Sequence, residues 1–277
     1  MSCPADRPAA STNSDPKPHV AGVSQHVSPT KDLRSALYIS ARRLGELEAS
    51  LDDLDLEIVR TVARFRVMSS RHLRALFFTD GSTQAMARAA NRRLARLSEL
   101  GLLSRLPQRV GGVRAGSDGV VFAVGVAGQR VLAGSSPTRR PRRPHPPGAR
   151  YLAHTLAVAD LYVTLTIEAR NGRCELLVFE PEPACWREYP GVYGSLSMLK
   201  PDAAVRLLVG EFELAWLIEI DLATEALPTI ERKARRHLDY HRSGTEQRTH
   251  GISPRVLWLA PTRQRLEALE LALRRLP

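Results

Sequence analysis

A chain of 277 residues with 43% hydrophobic composition can bury one large core or two modest ones. Its formal charge of +11 is uneven, because residues 1–150 carry 24 Lys and Arg against 12 Asp and Glu, while residues 151–277 carry 16 against 17. Within the basic half, residues 58–150 hold 18 basic side chains and only three acids, Asp80, Glu99 and Asp118. That density suits a polyanion. Arg greatly outnumbers Lys, which favours bidentate phosphate and guanine contacts. No apolar run approaches the ~20 residues that span a bilayer, and residues 1–30 lack the apolar core of a signal peptide, so a cytoplasmic protein is expected. Cys3, Cys174 and Cys185 are scattered without CxxC spacing, which indicates neither a disulfide framework nor a zinc site.

In chain order, residues 1–30 are rich in Pro, Ser, Ala and Asp and read as a disordered tail. Residues 31–50 read as a helical arm (Leu33, Leu37, Tyr38, Ala41, Leu44, Leu47). Residues 51–134 then carry the signature of a winged helix-turn-helix. A first helix, capped by Asp52 or Asp53, sets Leu54, Ile58, Val62 and Phe65 on one stripe. Ser69 caps a second short helix with Leu73 and Leu76 inward, and Ser82 or Thr83 opens a third after the break at Thr79, Asp80 and Gly81. On the third helix Met86, Ala90, Leu94 and Leu97 form the buried stripe. Arg88 and Arg92 therefore point outward, with Gln84, Asn91 and Arg96 on the flanks, on the face that enters a major groove. Gly101 ends that helix. Strands at 102–106 and 120–124 flank a basic, glycine-rich tip at 108–119, and Arg105, Arg109 and Arg114 decorate this wing. Double-stranded DNA is the expected partner, and Gln84, Arg88, Asn91, Arg92, Arg96, Arg105, Arg109 and Arg114 are the candidate contacts. An arginine-rich helix alone is more often a solvated face; helix order, turn, wing and local charge together carry the reading.

Residues 135–150 (SSPTRRPRRPHPPGAR) form a Pro/Arg linker expected to separate two domains, either as a spacer or as a basic tether for phosphates. From residue 151 the pattern becomes helix (152–170), strand (174–179), an irregular acidic segment, strands at 203–208 and 213–221, helix (228–241), strand (255–260) and a final helix. This αβββαβα order gives an α/β domain over 151–277, and the whole chain reads as a two-domain α+β or α/β protein. In the strand 212–221, Phe212, Leu214, Trp216, Ile218 and Ile220 form one apolar face, and Glu219 and Asp221 leave the other at its end. A hairpin through Gly210 brings Asp202 to the same end. Three converging carboxylates need a cation or basic side chains to neutralise them; a hard divalent ion is the natural answer, so Asp202, Glu219 and Asp221 are candidate Mg²⁺ ligands able to activate water against a phosphodiester.

The pair Pro201-Asp202, followed by Glu219-Ile220-Asp221 in this topology, resembles the PD-(D/E)XK nuclease fold, which is restriction-endonuclease-like. Asp221 stands where that motif has a lysine that orients water. Lys233 on the following helix is the candidate substitute, so Asp202, Glu219, Asp221 and Lys233 form the candidate catalytic set. The aspartate at 221 argues for a degenerate domain kept for binding or dimerisation rather than for an active enzyme. Across residues 54–276 the blocks ARFRVMSSRHLRALFF, NRRLARLSELGLLSR, HTLAVADLYV, KPDA and EIDLATEALPTIERKARRHLDYHRSG before PRVLWLAP are similar to the replication-relaxation family of bacterial plasmid and mobile-element proteins. That resemblance implies a role in plasmid replication and in relaxation or mobilisation of plasmid DNA; other replication or mobilisation proteins and a homodimer are further expected partners. It brings no established reaction. The alternatives are a Mg²⁺-dependent nicking endonuclease using Asp202 and Glu219, and a winged-helix transcription regulator. His237 and His241, spaced i, i+4, read as a packed or surface pair before a metal pair. His154 and Asp160 read as helix anchors that could approach the carboxylates. Trp216 and Trp258 read as core.

Overall fold

Asp52 begins the first long helix by closing a reciprocal cap. Its carboxylate accepts from the Asp55 amide at 2.7 Å, and the Asp55 side chain accepts from the Asp52 amide at 3.4 Å, which satisfies two end amides at once. The structure, a computed structural model, describes residues 39–109, 119–134, 140–191 and 195–276. The expected tail, the first part of the arm and the wing tip with Arg114 lie outside the described residues.

The first half contains α1 (Ala41–Ala49), α2 (Asp53–Phe65), β1 (Val67–Ser69), α3 (Ser70–Phe77), α4 (Thr83–Glu99), β2 (Leu103–Arg109), β3 (Val120–Val124) and α5 (Val126–Ala133). Ser69 and Ser82 cap α3 and α4 as their positions implied, accepting from His72 and Ala85 amides. β1, β3 and β2 form one antiparallel sheet in that order, with Val67 opposite Ala123 and Leu103 opposite Val124. Two elements here had no sequence signal. β1 is three residues long, too short for a period, and α5 (VAGQRVLA) is glycine-containing and short. α5 is held by contact: a Cβ at Gly128 would meet the Leu102 carbonyl oxygen at 2.3 Å, so only glycine lets this turn lie on the start of β2.

The second half contains α6 (Ala149–Arg170), β4 (Glu175–Pro181), β5 (Arg187–Pro190), β6 (Leu196–Leu199), β7 (Ala203–Val209), β8 (Phe212–Ile220), α7 (Leu227–Ser243), α8 (Thr245–His250), β9 (Arg255–Leu259) and α9 (Arg263–Leu273). The main sheet runs β4-β7-β8-β9, antiparallel except for the parallel pair β8 and β9. Gly210, at φ 61, makes the β7–β8 turn, so Val209 pairs with Phe212 and Ala203 with Ile218. The acidic segment read as irregular holds a two-stranded β5–β6 hairpin instead. Phe212 does not join an apolar face: it sits at the turn and is 74% exposed, whereas Ile218 and Ile220 at the far end are buried.

The described residues before and after the Pro/Arg linker share one core, contrary to the separate domains expected. Residues 39–277 form one compact unit, and Val158, Ala159, Val163 and Phe179 share a core with Ile58, Val62, Phe65 and Leu73. Three rings from α2, α6 and β4 meet at this seam, with Phe65 4.8 Å from Tyr162 and Tyr162 5.1 Å from Phe179. Polar contacts follow the same line. His72 Nε2 lies 2.9 Å from Asp160, and Arg170 donates to the Ala75 and Leu76 carbonyls that end α3. α6 is also long and apolar enough, by length and composition, to cross a membrane, although no such run was apparent in the sequence. Of its apolar residues, Leu152, Leu156, Val158, Ala159 and Val163 are buried among the elements around it.

Because all three tryptophans lie in the second half, they report on the first only through this seam. Phe65→Ala is expected to cost about 3–5 kcal/mol and to lower the urea midpoint of tryptophan fluorescence. A midpoint that stays put would mean that the halves unfold separately.

Candidate nucleic-acid interface and carboxylate sites

Helix α4 divides its arginines between two tasks. Ala90, Leu94 and Leu97 are buried, while Gln84, Arg88, Asn91 and Arg92 are exposed, and among the described residues no hydrogen bond or ion pair engages their side chains. Arg93 and Arg96, on the side of the helix toward α2, reach back to the start of α2. Arg93 Nη1 lies 2.7 Å from both Asp52 oxygens and 2.7 Å from Asp55 Oδ1. Arg96 donates to Asp55 Oδ2 at 2.6 Å and to the Ser50 carbonyl at 2.8 Å. Asp55 is 1% exposed, so these two guanidiniums are what make its burial tolerable. The bonded Arg93 guanidinium also holds the Asp52 carboxyl below its ordinary value. Arg96, expected on the groove-facing side, is therefore occupied as an internal clamp. Arg105 is exposed on β2, and Arg109 ends that strand.

The three carboxylates of the second half are buried, at 4% for Asp202, 2% for Glu219 and 5% for Asp221. Asp202 stands beside the end of β8, as the hairpin required. Its amide donates to the Ile218 carbonyl, and its Oδ2 accepts from the Ile220 amide at 2.6 Å. The expected convergence on one cation does not occur, because each carboxylate meets a partner supplied by the chain. His154 Nε2 of α6 is 3.1 Å from Asp202 Oδ2. Glu219 faces two donors from α7, Lys233 Nζ at 3.3 Å and His237 Nε2 at 2.8 Å. Asp221 belongs to a different group: Arg265 Nε of α9 binds its Oδ2 at 2.5 Å, and a further Arg265 nitrogen donates to the Glu225 carbonyl. Among the described residues no set of three His, Cys, Asp or Glu side chains is arranged to hold a metal ion. The donors do not fit Mg²⁺ as arranged, since both Glu219 oxygens already face cationic or N–H donors.

Lys233, expected from the sequence to stand in for a lysine at position 221, lies 3.3 Å from Glu219 and 3.2 Å from Glu225. Burial alone would lower its pKa, but the charges of Glu219, Asp202 and Glu225 outweigh that and raise it. Glu182, half-buried near Asp202, is raised by burial and then by the Asp202 charge. No sequence pattern had marked it or Arg265. Their roles depend on the end of β4 and on the parallel β8–β9 pairing, which no local spacing encodes. His237 is separated from His241 in role: it is buried against Glu219, while His241 is exposed. Asp160 anchors α6 to His72 and stands apart from the carboxylates.

The Asp202 hydrogen bond raises the His154 pKa, outweighing its desolvation. The folded state thus favours protonated His154 over the unfolded chain, whose histidines titrate near ~6.5. This contribution to stability is complete below that pH and disappears as the pH rises through the folded value. Urea midpoints measured from pH 6 to pH 9 are expected to fall with rising pH, and His154→Gln to remove that component of the fall. An unchanged pH profile in the variant would count against the pair.

A family model described as Replication-relaxation matches residues 59–256, well over half of the chain. The chain belongs to that family. No curated protein and no solved structure matches it.

Proposed function

We propose that this replication-relaxation protein binds duplex DNA during plasmid or mobile-element replication and relaxation, in the cytoplasm. Residues 51–134 act as a winged helix-turn-helix with α4 in the major groove. The second half is a nuclease-shaped domain of the PD-(D/E)XK kind, held together by its own cations. The observation that carries this reading is the sorting of arginines on α4. Arg93 and Arg96 are pinned to Asp55, while Arg88 and Arg92, with Gln84 and Asn91, are exposed and unengaged among the described residues. Guanidiniums left in water, on a face with no structural duty, are free to meet phosphates and guanine edges. Arg105 on the wing strand adds to the same charge.

Because Arg88 and Arg92 are exposed, changing both to Ala leaves the fold intact. The double variant is expected to bind duplex DNA at least tenfold more weakly, and its log K against log salt slope to shrink by about 2, one counterion for each lost phosphate contact. A binding isotherm and salt slope identical to the parent's would end the proposal.

One observation favours an enzymatic reading, the approach of Lys233 to Glu219 beside Asp202. Against it stand Asp221, whose carboxylate is committed to Arg265, and Glu219, whose two oxygens are engaged. Supercoiled plasmid incubated with the protein and Mg²⁺ or Mn²⁺ is expected to remain supercoiled. Nicking that is lost in both Asp202→Ala and Glu219→Ala would overturn the noncatalytic assignment.

A further inference from the structure

Among the described residues, the Pro/Arg segment after α5 is clamped at Arg142. The Gln129 side chain donates to the Arg142 carbonyl at 2.6 Å and accepts from the Arg142 amide at 2.9 Å, so one amide group grips both backbone polar atoms of Arg142. The same Gln129 nitrogen lies 3.3 Å from the Val124 carbonyl at the end of β3. The segment is thereby tied to the base of the β2–β3 hairpin. Around the clamp, residues 140–147 have neither helix nor strand, and prolines at 141, 144, 146 and 147 fix their own φ and bias the residues before them to extended conformations. Arg140, Arg142 and Arg143 are exposed, and among the described residues their side chains make no hydrogen bond or ion pair. No acid occurs anywhere from residue 119 to residue 159.

We infer that residues 140–144 form a second DNA contact that enters the minor groove and favours A·T base pairs there. This rests on the duplex-binding function proposed for α4 and deepens it. A narrow groove of ~6 Å admits an extended chain but not a helix, and residues 140–144 carry only proline rings and arginines. Narrow A·T minor grooves have an enhanced negative potential that draws in arginine, whose guanidinium is weakly hydrated and sheds water readily. At the ~3.1 Å rise per residue of an extended proline-rich chain, Arg140 to Arg143 spans about three base pairs, each of ~3.4 Å. The Gln129 clamp keeps the strand from collapsing onto the surface and lowers the ordering cost of binding. A tether contacting phosphates alone would show the same charge but no base-pair preference.

The test uses the full chain and three short duplexes of one length and one salt: A·T-rich, G·C-rich, and the G·C sequence with inosine in place of guanine. Inosine removes the minor-groove amino group and leaves the major-groove edge of guanine unchanged. The parent is expected to bind the inosine duplex, which differs from the G·C duplex only by the missing minor-groove amino group, about tenfold tighter than the G·C duplex. Changing Arg140, Arg142 and Arg143 together to Ala should erase that ratio and reduce the salt slope by about 2.7. Gln129→Leu, which removes no charge, should lower the ratio with the slope unchanged. The Arg88→Ala, Arg92→Ala variant should weaken binding to all three duplexes and keep the ratio. If inosine behaves as guanine, or the triple variant keeps the preference, the minor-groove contact is wrong while the α4 proposal stands. Failure of the parent to bind any duplex overturns both.

Discussion

A carboxylate withdrawn from water has to be met by a cation or by donated hydrogen bonds, and this fold buries Asp55, Asp202, Glu219 and Asp221. The consequences reach most of the chain. Asp55 claims Arg93 and Arg96, which fixes α4 against the start of α2. Asp202 claims His154 and so fixes the first turns of α6 to the end of the sheet. Glu219 claims Lys233 and His237, which orients α7, and Asp221 claims Arg265, which orients α9. Each helix that touches a buried acid is placed by it, because a carboxylate left buried without its basic partners would be an unpaired charge costing about 3–5 kcal/mol.

The hydrophobic seam completes what those pairs begin. Phe65, Tyr162 and Phe179 come from α2, α6 and β4, so the two halves meet through aromatic contact. His72 ties both levels together. Its Nδ1 accepts from the Ser69 amide within the α3 cap, and its Nε2 faces Asp160 on α6. A disturbance of the sheet end near Asp202 therefore has a short packed route, along α6, to the helix pair that carries α4. The route is a chain of contacts, and it becomes allosteric only if two states of α6 differ in energy at both ends.

Much of this arrangement is legible in the amino-acid sequence. Period and caps locate α2, α3 and α4, because Asp52, Ser69 and Ser82 are local signals acting within three residues. Alternation in β8 and the turn at Gly210 correctly bring Asp202 beside the end of β8. Long-range charge pairing is what the sequence does not carry. Arg96 looks like Arg88 by composition, and only the packing of α4 on α2 separates them. Glu219 and Asp221, two residues apart on one strand, read as sharing a cation. Their partners come from different helices, α7 and α9, whose approach depends on the parallel β8–β9 pair. Short elements such as β1 and α5 are invisible for another reason: each is made by the neighbours it packs against rather than by its own period.

The division between committed and uncommitted charge also sets how the molecule responds to salt. Pairs around Asp55, Glu219 and Asp221 are sheltered, and ions at ordinary strength screen them little. Arg88, Arg92, Arg140, Arg142 and Arg143 stand in water, where a Debye length of ~8–10 Å governs them. Salt therefore weakens any polyanion contact long before it loosens the fold. Had the exposed arginines also been structural partners, tuning affinity by mutation would have cost stability, as it would at Arg93 or Arg96. Separating the two sets onto different faces of a single helix, with Arg92 and Arg93 adjacent in sequence, lets α4 serve as both a packed element and a charged surface.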